Sequence, residues 1–350
     1  MYVNPNIEKI VRVPQPEGRG AYLRLDQNEN VDGVPKWLFD EAMKKVTPEF
    51  LSIYPEESVL TEKYAKLVGV EPNNVSLTDG SVVGMGYIIK VFGEPGKKLL
   101  CVTPSFAMYK VYAEMIGMSI QEIEYEDDFT MDINNILDNI DRKTGIVVLV
   151  NPNMPVGNVY TKEEIESVIV KAKENDAYVI IDEAYYYFFD ETSIPLTKKY
   201  DNLFVLRTFS KMLSIPSLRL GTIVSSSKNI VHLENYKPHY TVNSIALLFG
   251  EAIVDNHDRL LKELTENFRN GQKRIMELIK ENDYEYIEGK GCYVCIKPKH
   301  KDSRTVTDEL KENGILILCG KDGLTGYLRV TITGAKYMDR FFDALLKIDR

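Results

Sequence analysis

Between residues 98 and 224 the chain repeats one pattern: short strand-like runs, several of them apolar at every position, separated by longer segments whose apolar residues recur at helical spacing. The runs are 98–102, 146–150, 178–181, 203–206 and 221–224. A strand with one wet face alternates apolar and polar residues, so an unbroken apolar run predicts a strand covered on both sides, as in a mainly parallel sheet. Segments 104–116 and 161–175 supply the crossover helices such a sheet needs. Upstream, 35–46, 57–68 and 82–92 read as amphipathic helices. Residues 1–30 show no period and hold Pro14, Pro16, Gly18 and Gly20, which predicts an irregular arm. Near 245 the pattern changes: a long helical stretch, 245–281, leads to strand-like runs at 292–297, 315–318 and 327–332 and a closing helix at 335–348. The reading is an α/β protein with an arm (1–30), a large domain (31–245) and a smaller α/β domain (246–350). A ligand crevice is expected between the domains, at the C-terminal ends of the large sheet's strands.

Composition narrows the function. With 44% hydrophobic and 27% charged residues in a chain of 350, extensive disorder is excluded. A formal charge of −9 argues against nucleic-acid binding, which needs a concentrated cationic face. No segment stays apolar for signal-peptide or membrane-spanning length, so a soluble, cytoplasmic protein is expected, with no membrane partner. Cys292 and Cys295 are three residues apart in the alternating run 292–297, so their sulfurs point to opposite faces, which predicts buried reduced thiols rather than a redox pair. His232, His239, His257 and His300 are scattered, and no metal is expected.

Five segments could carry chemistry. Lys211, in Arg207-Thr-Phe-Ser-Lys211, directly follows the run 203–206 and so sits in a loop at a strand's C-terminal end. A lysine desolvated there beside other cations has a lowered pKa and a free amine for imine formation. Thr208, Ser210 and Arg219 add hydroxyls and a cationic fork suited to phosphate. A solvated surface loop is the bland alternative. Asp182, in Asp182-Glu-Ala-Tyr185, ends the run 178–181, where an acid needs a cation; opposite a pyridine nitrogen it would keep that nitrogen protonated. The same placement occurs in Mg²⁺-nucleotide proteins, but no phosphate-binding Gly-Lys loop accompanies it. Gly80 and Ser81 open the helix 82–92 and make either a phosphate cradle or a plain helix cap. The segment 151–157 carries turn residues expected in any case. Arg329 lies inside an apolar strand and should meet an anion, either a structural carboxylate or a ligand.

In this order the segments resemble the fold-type-I aminotransferases, and within them the histidinol-phosphate aminotransferase branch, which also contains threonine-phosphate-type decarboxylases. The resemblance spans nearly the whole chain, from Leu25-Asp-Gln-Asn-Glu-Asn30, Tyr54-Pro55, Asp79-Gly-Ser81 and Thr103-Pro-Ser-Phe-Ala-Met-Tyr109 to Asn151–Gly157, Asp182–Tyr185, Thr208–Lys211, Arg219 and Leu328-Arg329. It implies the pyridoxal-phosphate transferase fold with a mainly parallel seven-stranded sheet, and pyridoxal 5'-phosphate as cofactor. Lys211 would be the Schiff-base lysine, Asp182 the partner of the ring nitrogen and Tyr185 of the ring oxygen. Gly80, Ser81, Thr208, Ser210 and Arg219 would hold the phosphate. Phe106 would stack on the ring in place of the usual tyrosine. Tyr54 would reach the cofactor of a neighbouring subunit, which implies a homodimer with shared active sites. Arg329 and Asn28 would bind substrate.

The chain departs from the family pattern at Met154, where an asparagine usually bonds the ring oxygen, and at Val156, which replaces a threonine. A thioether cannot donate that bond, so either Tyr185 acts alone or Asn153 shifts in. The second arginine expected after Gly314 is missing from 315–320, and Pro14 is followed by Gln15 rather than tyrosine; Arg24, Lys321 or Arg12 could substitute. The expected activity is amino transfer between a donor, glutamate by resemblance, and a small anionic carbonyl compound, phosphorylated by the same resemblance. Decarboxylation of a phosphorylated amino acid, or cofactor binding without catalysis, remain as alternatives.

Overall fold

The computed structural model describes residues 1–11, 16–320 and 322–350. The arm contributes β1 (Leu23–Arg24). Seven strands follow: β2 (Val75–Thr78), β3 (Lys98–Thr103), β4 (Ser119–Glu124), β5 (Thr144–Val150), β6 (Tyr178–Asp182), β7 (Leu203–Thr208) and β8 (Gly221–Ser225). They form one sheet in the order β2-β8-β7-β6-β5-β3-β4. Every pairing from β7 across to β4 is parallel; β8 alone runs antiparallel, to both β7 and β2. The apolar runs behave as two-sided burial requires. Val147, Leu149, Val179, Ile181 and Val205 enter the core on one face, while Ile146, Val148, Ile180, Phe204 and Leu206 enter the core on the other.

Two strands of this sheet escape the unbroken-run pattern for different reasons. β4 is an edge strand with exposed and half-buried positions, so its sequence, Ser-Ile-Gln-Glu-Ile-Glu, is largely polar. β2 is buried throughout but only four residues long and half hydroxyl-bearing.

The small domain adds β9 (Glu285–Glu288), β10 (Tyr293–Lys297), β11 (Ile315–Leu316), β12 (Leu318–Cys319) and β13 (Leu328–Thr331). Four of them make an antiparallel sheet ordered β12-β13-β10-β9, and β11 pairs with β1 of the arm. The arm is therefore less irregular than its Pro and Gly content suggests. Leu23 and Leu25 are buried in the small domain's core, and Arg19 bridges Asp26 and Glu29 at 2.6 and 2.9 Å.

The expected helix over 245–281 is two helices, Ser244–Asp255 and His257–Glu281. Asn256 breaks them apart with φ −115° and ψ 21°, its amide bonding back to the Ala252 carbonyl at 3.0 Å. The first helix, with Leu260 and Leu264 of the second, packs in the large core, whereas Ile275, Met276, Leu278 and Ile279 pack in the small one. The two cores thus meet within His257–Glu281, not at the 245/246 boundary read from the pattern. Helix 104–116 is likewise shortened to Met108–Met115, leaving 104–107 as a loop beyond β3.

Candidate active site

The C-terminal ends of β2, β5, β6 and β7 point the same way, and between them and the small domain lies a cavity of about 460 Å³. Ser81, Phe106, Met154, Asp182, Tyr185, Thr208, Ser210, Lys211, Arg219, Asn28 and Arg329 all line it. Residues up to 303 positions apart are brought together because parallel strands end at one edge and the chain returns to cap them.

Lys211 keeps part of its surface open to the cavity, while its amine donates to the Gln27 carbonyl at 2.9 Å. Burial of the amine lowers its pKa below the usual lysine value, with Arg329 and Arg219 acting in the same direction and Cys292 and Glu29 opposing. Asp182 ends β6 and is 3% exposed. Its carboxylate accepts from the Tyr109 hydroxyl at 2.8 Å and from the Ala184 N–H at 3.0 Å. Burial nevertheless raises its pKa to about 6, and those hydrogen bonds only moderate the rise.

That rise has a sign in stability. The folded, cofactor-free protein holds a proton on Asp182 that the unfolded chain has already released between about pH 4 and pH 6. Stability contributed by this group is therefore lost as pH rises through that window, by roughly 3 kcal/mol at most. Denaturant titrations of the cofactor-free protein at pH 4.5 and 7 are expected to show the loss, and Asp182→Asn is expected to abolish it. An Asp182→Asn protein with an unaltered pH slope would rule the assignment out.

Tyr185 is buried, and burial raises its phenol's pKa. Its hydroxyl accepts from the Asn28 amide at 2.7 Å. Asn28 holds a left-handed backbone, φ 58°, and is anchored by Thr331, whose hydroxyl accepts from the Asn28 N–H at 3.0 Å. The phosphate-type cradle lies on the other side. Gly80 has φ +83°, and a Cβ there would run into the Arg219 guanidinium, so this approach requires glycine. Arg219 reaches the Ser210 hydroxyl at 3.3 Å and the Pro216 carbonyl at 2.9 Å. The helix Ser81–Phe92 begins here with no side-chain cap, leaving its first N–H groups for a ligand.

Arg329, on β13, is 8% exposed. One nitrogen donates to the Asp26 carbonyl at 2.6 Å and another to the Met154 sulfur at 2.8 Å, while its buried Nε has no partner among the described residues. The anion this guanidinium needs is not a structural carboxylate.

Three expectations are placed elsewhere. Asn153 is not among the residues lining the cavity: its amide oxygen accepts from the Ser105 hydroxyl at 2.7 Å and its amide nitrogen donates to the Pro104 carbonyl at 2.9 Å, both on the side of the loop beyond β3. Tyr54 is 74% exposed and stacks on Tyr240 at 4.6 Å, outside this chain's own cavity. Arg24 is occupied by Glu29 at 3.0 Å, and Arg12, Pro14, Gln15 and Lys321 lie outside the described residues. Val156 packs with Cys295 and Leu324 instead of facing the site. The sequence reading missed Tyr109 as the donor to Asp182 and Cys292 as a neighbour of Lys211. The Tyr109–Asp182 contact spans 73 positions, and nothing local marks it.

This architecture and the residues at its cavity define a class: the chain belongs to the class I and II aminotransferases, whose family profile matches residues 21–345. Within that class the similarity is to histidinol-phosphate aminotransferases. The chain is 32% identical over 348 residues to the one from Brachyspira hyodysenteriae, covering 97% of this chain and 96% of that protein. It is 30% identical over 331 residues to that of Caldanaerobacter subterraneus, covering 93% and 92%. The structure of the Sinorhizobium meliloti enzyme in complex with pyridoxal-5'-phosphate superposes with a TM-score of 0.88 at 21% identity, covering 99% of this chain and 97% of that one. The protein is thus an enzyme, a histidinol-phosphate aminotransferase-like transaminase of the fold-type-I class, and its cofactor is pyridoxal 5'-phosphate. The cavity fits that group on its own terms. It offers a desolvated amine, a buried acid across from it, and an unpartnered helix N-terminus faced by a guanidinium.

Proposed function

We propose that this enzyme exchanges an amino group between glutamate and a small phosphorylated carbonyl compound, with Lys211 as its central proton carrier. The observation that carries the reading is the shared cavity of Lys211, Asp182 and Arg219, with Arg329 facing them from the small domain. Lys211 would hold the cofactor, Asp182 and Tyr185 would fix the two ends of its ring, and Phe106 would cover one face. Gly80, Ser81, Thr208, Ser210 and Arg219 would grip its phosphate. When bound, the cofactor supplies an aldehyde for amines and a ring that accepts an electron pair. The chain's own part is then to bind, orient and move protons. Arg329, with Asn28 beside it, binds the substrate's anionic group. Lys211 Nζ, whose charged form burial disfavours, removes the proton from the donor's α-carbon.

Exposed Leu51, Ile53 and Tyr54, 62%, 62% and 74% accessible, support a homodimer in which Tyr54 completes the neighbour's site. No helix among the described residues is long and apolar enough to cross a membrane, and we place the enzyme in the cytoplasm. The test is a screen of phosphorylated amines against the purified, cofactor-loaded protein, following the cofactor's absorbance and 2-oxoglutarate-dependent transfer. Spectral change and glutamate formation with a phosphorylated amine are expected; transfer only with unphosphorylated amino acids would overturn the substrate class.

Met154 gives a separate handle. Its sulfur cannot donate to the ring oxygen and instead touches Arg329. In the Met154→Asn variant the added amide donor is expected to lower the pH midpoint of the lysine-bound cofactor's absorbance by about one unit, the order of one hydrogen bond to a charged group. A spectrophotometric pH titration measures this, and an unmoved midpoint would show that position 154 does not address the ring.

A further inference from the structure

Next to the substrate cavity lies a second, small void of about 30 Å³, and Lys211 lines this one too. It shares Asn28 and Lys211 with the substrate cavity. It also shares Asn30, Leu264 and Asn267 with a third space, an open groove of about 850 Å³ between residues 30–39 and the helix His257–Glu281. The three spaces are in series, from the substrate side past the lysine to the outer surface at the join of the two cores.

We propose that this void is a water site that connects the Lys211 amine to bulk solvent, and that protons leave and reach the lysine by it. The inference rests on the role of Lys211 in the reading above. A water needs roughly 10–15 Å³ of such space and two or more polar partners, so the void has room for about two. Its wall supplies the partners. Thr333 brings a hydroxyl and Asn267 an amide, while Thr331, whose hydroxyl already donates to Asn28, and Glu29, bound by Arg19 and Arg24, can add only acceptor lone pairs. Asn267 is bound among the described residues only by a long 3.4 Å contact to Asp32, so its carbonyl oxygen stays open to a water. Leu264, Phe268 and Phe188 line the remainder and keep the passage narrow.

The proton balance is simple. The neutral Lys211 amine takes a proton from the donor's α-carbon and becomes an ammonium. A water in the void takes that proton and hands the amine another from water in the groove, so the ammonium keeps its charge while its protons exchange with solvent, and it then returns a solvent proton. Nothing is oxidised or reduced. Glu29 at this wall is ionised, its pKa lowered by the hydrogen bonds and charge of Arg19 and Arg24, which also neutralise it. Without such a route, a substrate filling its cavity would seal the lysine from solvent, and the donor's own proton would be the one it returns.

The experiment uses the cofactor-loaded enzyme in deuterium oxide with protiated glutamate and its carbonyl acceptor. Deuterium entering the α-position of the recovered, unconverted glutamate is counted by NMR per amino group transferred, because conversion itself removes one α-proton in every case. In the natural enzyme exchange is expected to match or exceed transfer, and in Asn267→Leu and Thr333→Val the exchange-to-transfer ratio is expected to fall at least threefold. The lysine-bound absorbance, measured first, reports that each variant is folded and loaded. Equal ratios in all three proteins would overturn the water route while leaving the aminotransferase reading intact. A crystal structure of the loaded enzyme decides the water site without any turnover: ordered water between Lys211 and Asn267 supports it, and a dry void sinks it. Absence of both lysine-bound absorbance and transfer in the natural enzyme would instead count against the function proposed above.

Discussion

Replacing Lys211 by alanine is expected to reduce the rate of amino transfer by roughly 10³-fold or more, the scale of losing a positioned acid–base that also serves as the covalent anchor. The physical ground is the state of this one amine. It is desolvated enough to lose charge readily, it is held by the Gln27 carbonyl at 2.9 Å, and it shares a cavity with the buried Asp182. Steady-state transfer assays on protein loaded with cofactor measure the loss, with circular dichroism as the check on folding. The lysine lies beside a cavity instead of filling a packed core, so its truncation should leave the fold in place. Undiminished turnover in the variant would remove the lysine from the mechanism.

Arg329→Leu should act on binding rather than on the chemical step. A buried guanidinium that meets a substrate anion is worth about 2–5 kcal/mol when its partner is present, so kcat/KM for the anionic substrate is expected to fall roughly 100-fold, mostly through KM. In the empty protein the same change should not lower thermal stability, because Arg329 is a buried charge with an unpartnered Nε and no structural carboxylate. The two readouts together separate a ligand-binding arginine from a structural one. A large drop in Tm with unchanged KM would make Arg329 part of the scaffold.

The contrast between Arg329 and Arg207 shows where sequence reading stops. Both lie in buried strands, and by pattern both demand an anion. Arg207 finds one in Glu183 at 3.0 Å and faces the Tyr186 ring, a closed structural pair. Arg329 finds only a carbonyl and a thioether. Nothing in the two local sequences distinguishes them. Asn153 makes the same point: as a neighbour of Met154 it is a reasonable substitute for the missing asparagine, but its amide is hydrogen-bonded to Pro104 and Ser105 of the loop beyond β3.

What the linear order of residues determined by itself was the large sheet, the loops at its strand ends and the family. Burial on both faces leaves unbroken apolar runs, and the chemistry of Asp182 and Lys211 lies in the segments that follow two of them, with Arg219 just before a third. The tertiary structure alone decided which of these groups are satisfied and which are left for a ligand. It folded the arm onto β11, divided the cores inside His257–Glu281, set Tyr109 against Asp182, and left Arg329 unpaired beside Met154. The reason is physical. Periodicity reports whether a face is buried, whereas the partner of a buried polar group comes from a distant part of the chain and leaves no local trace.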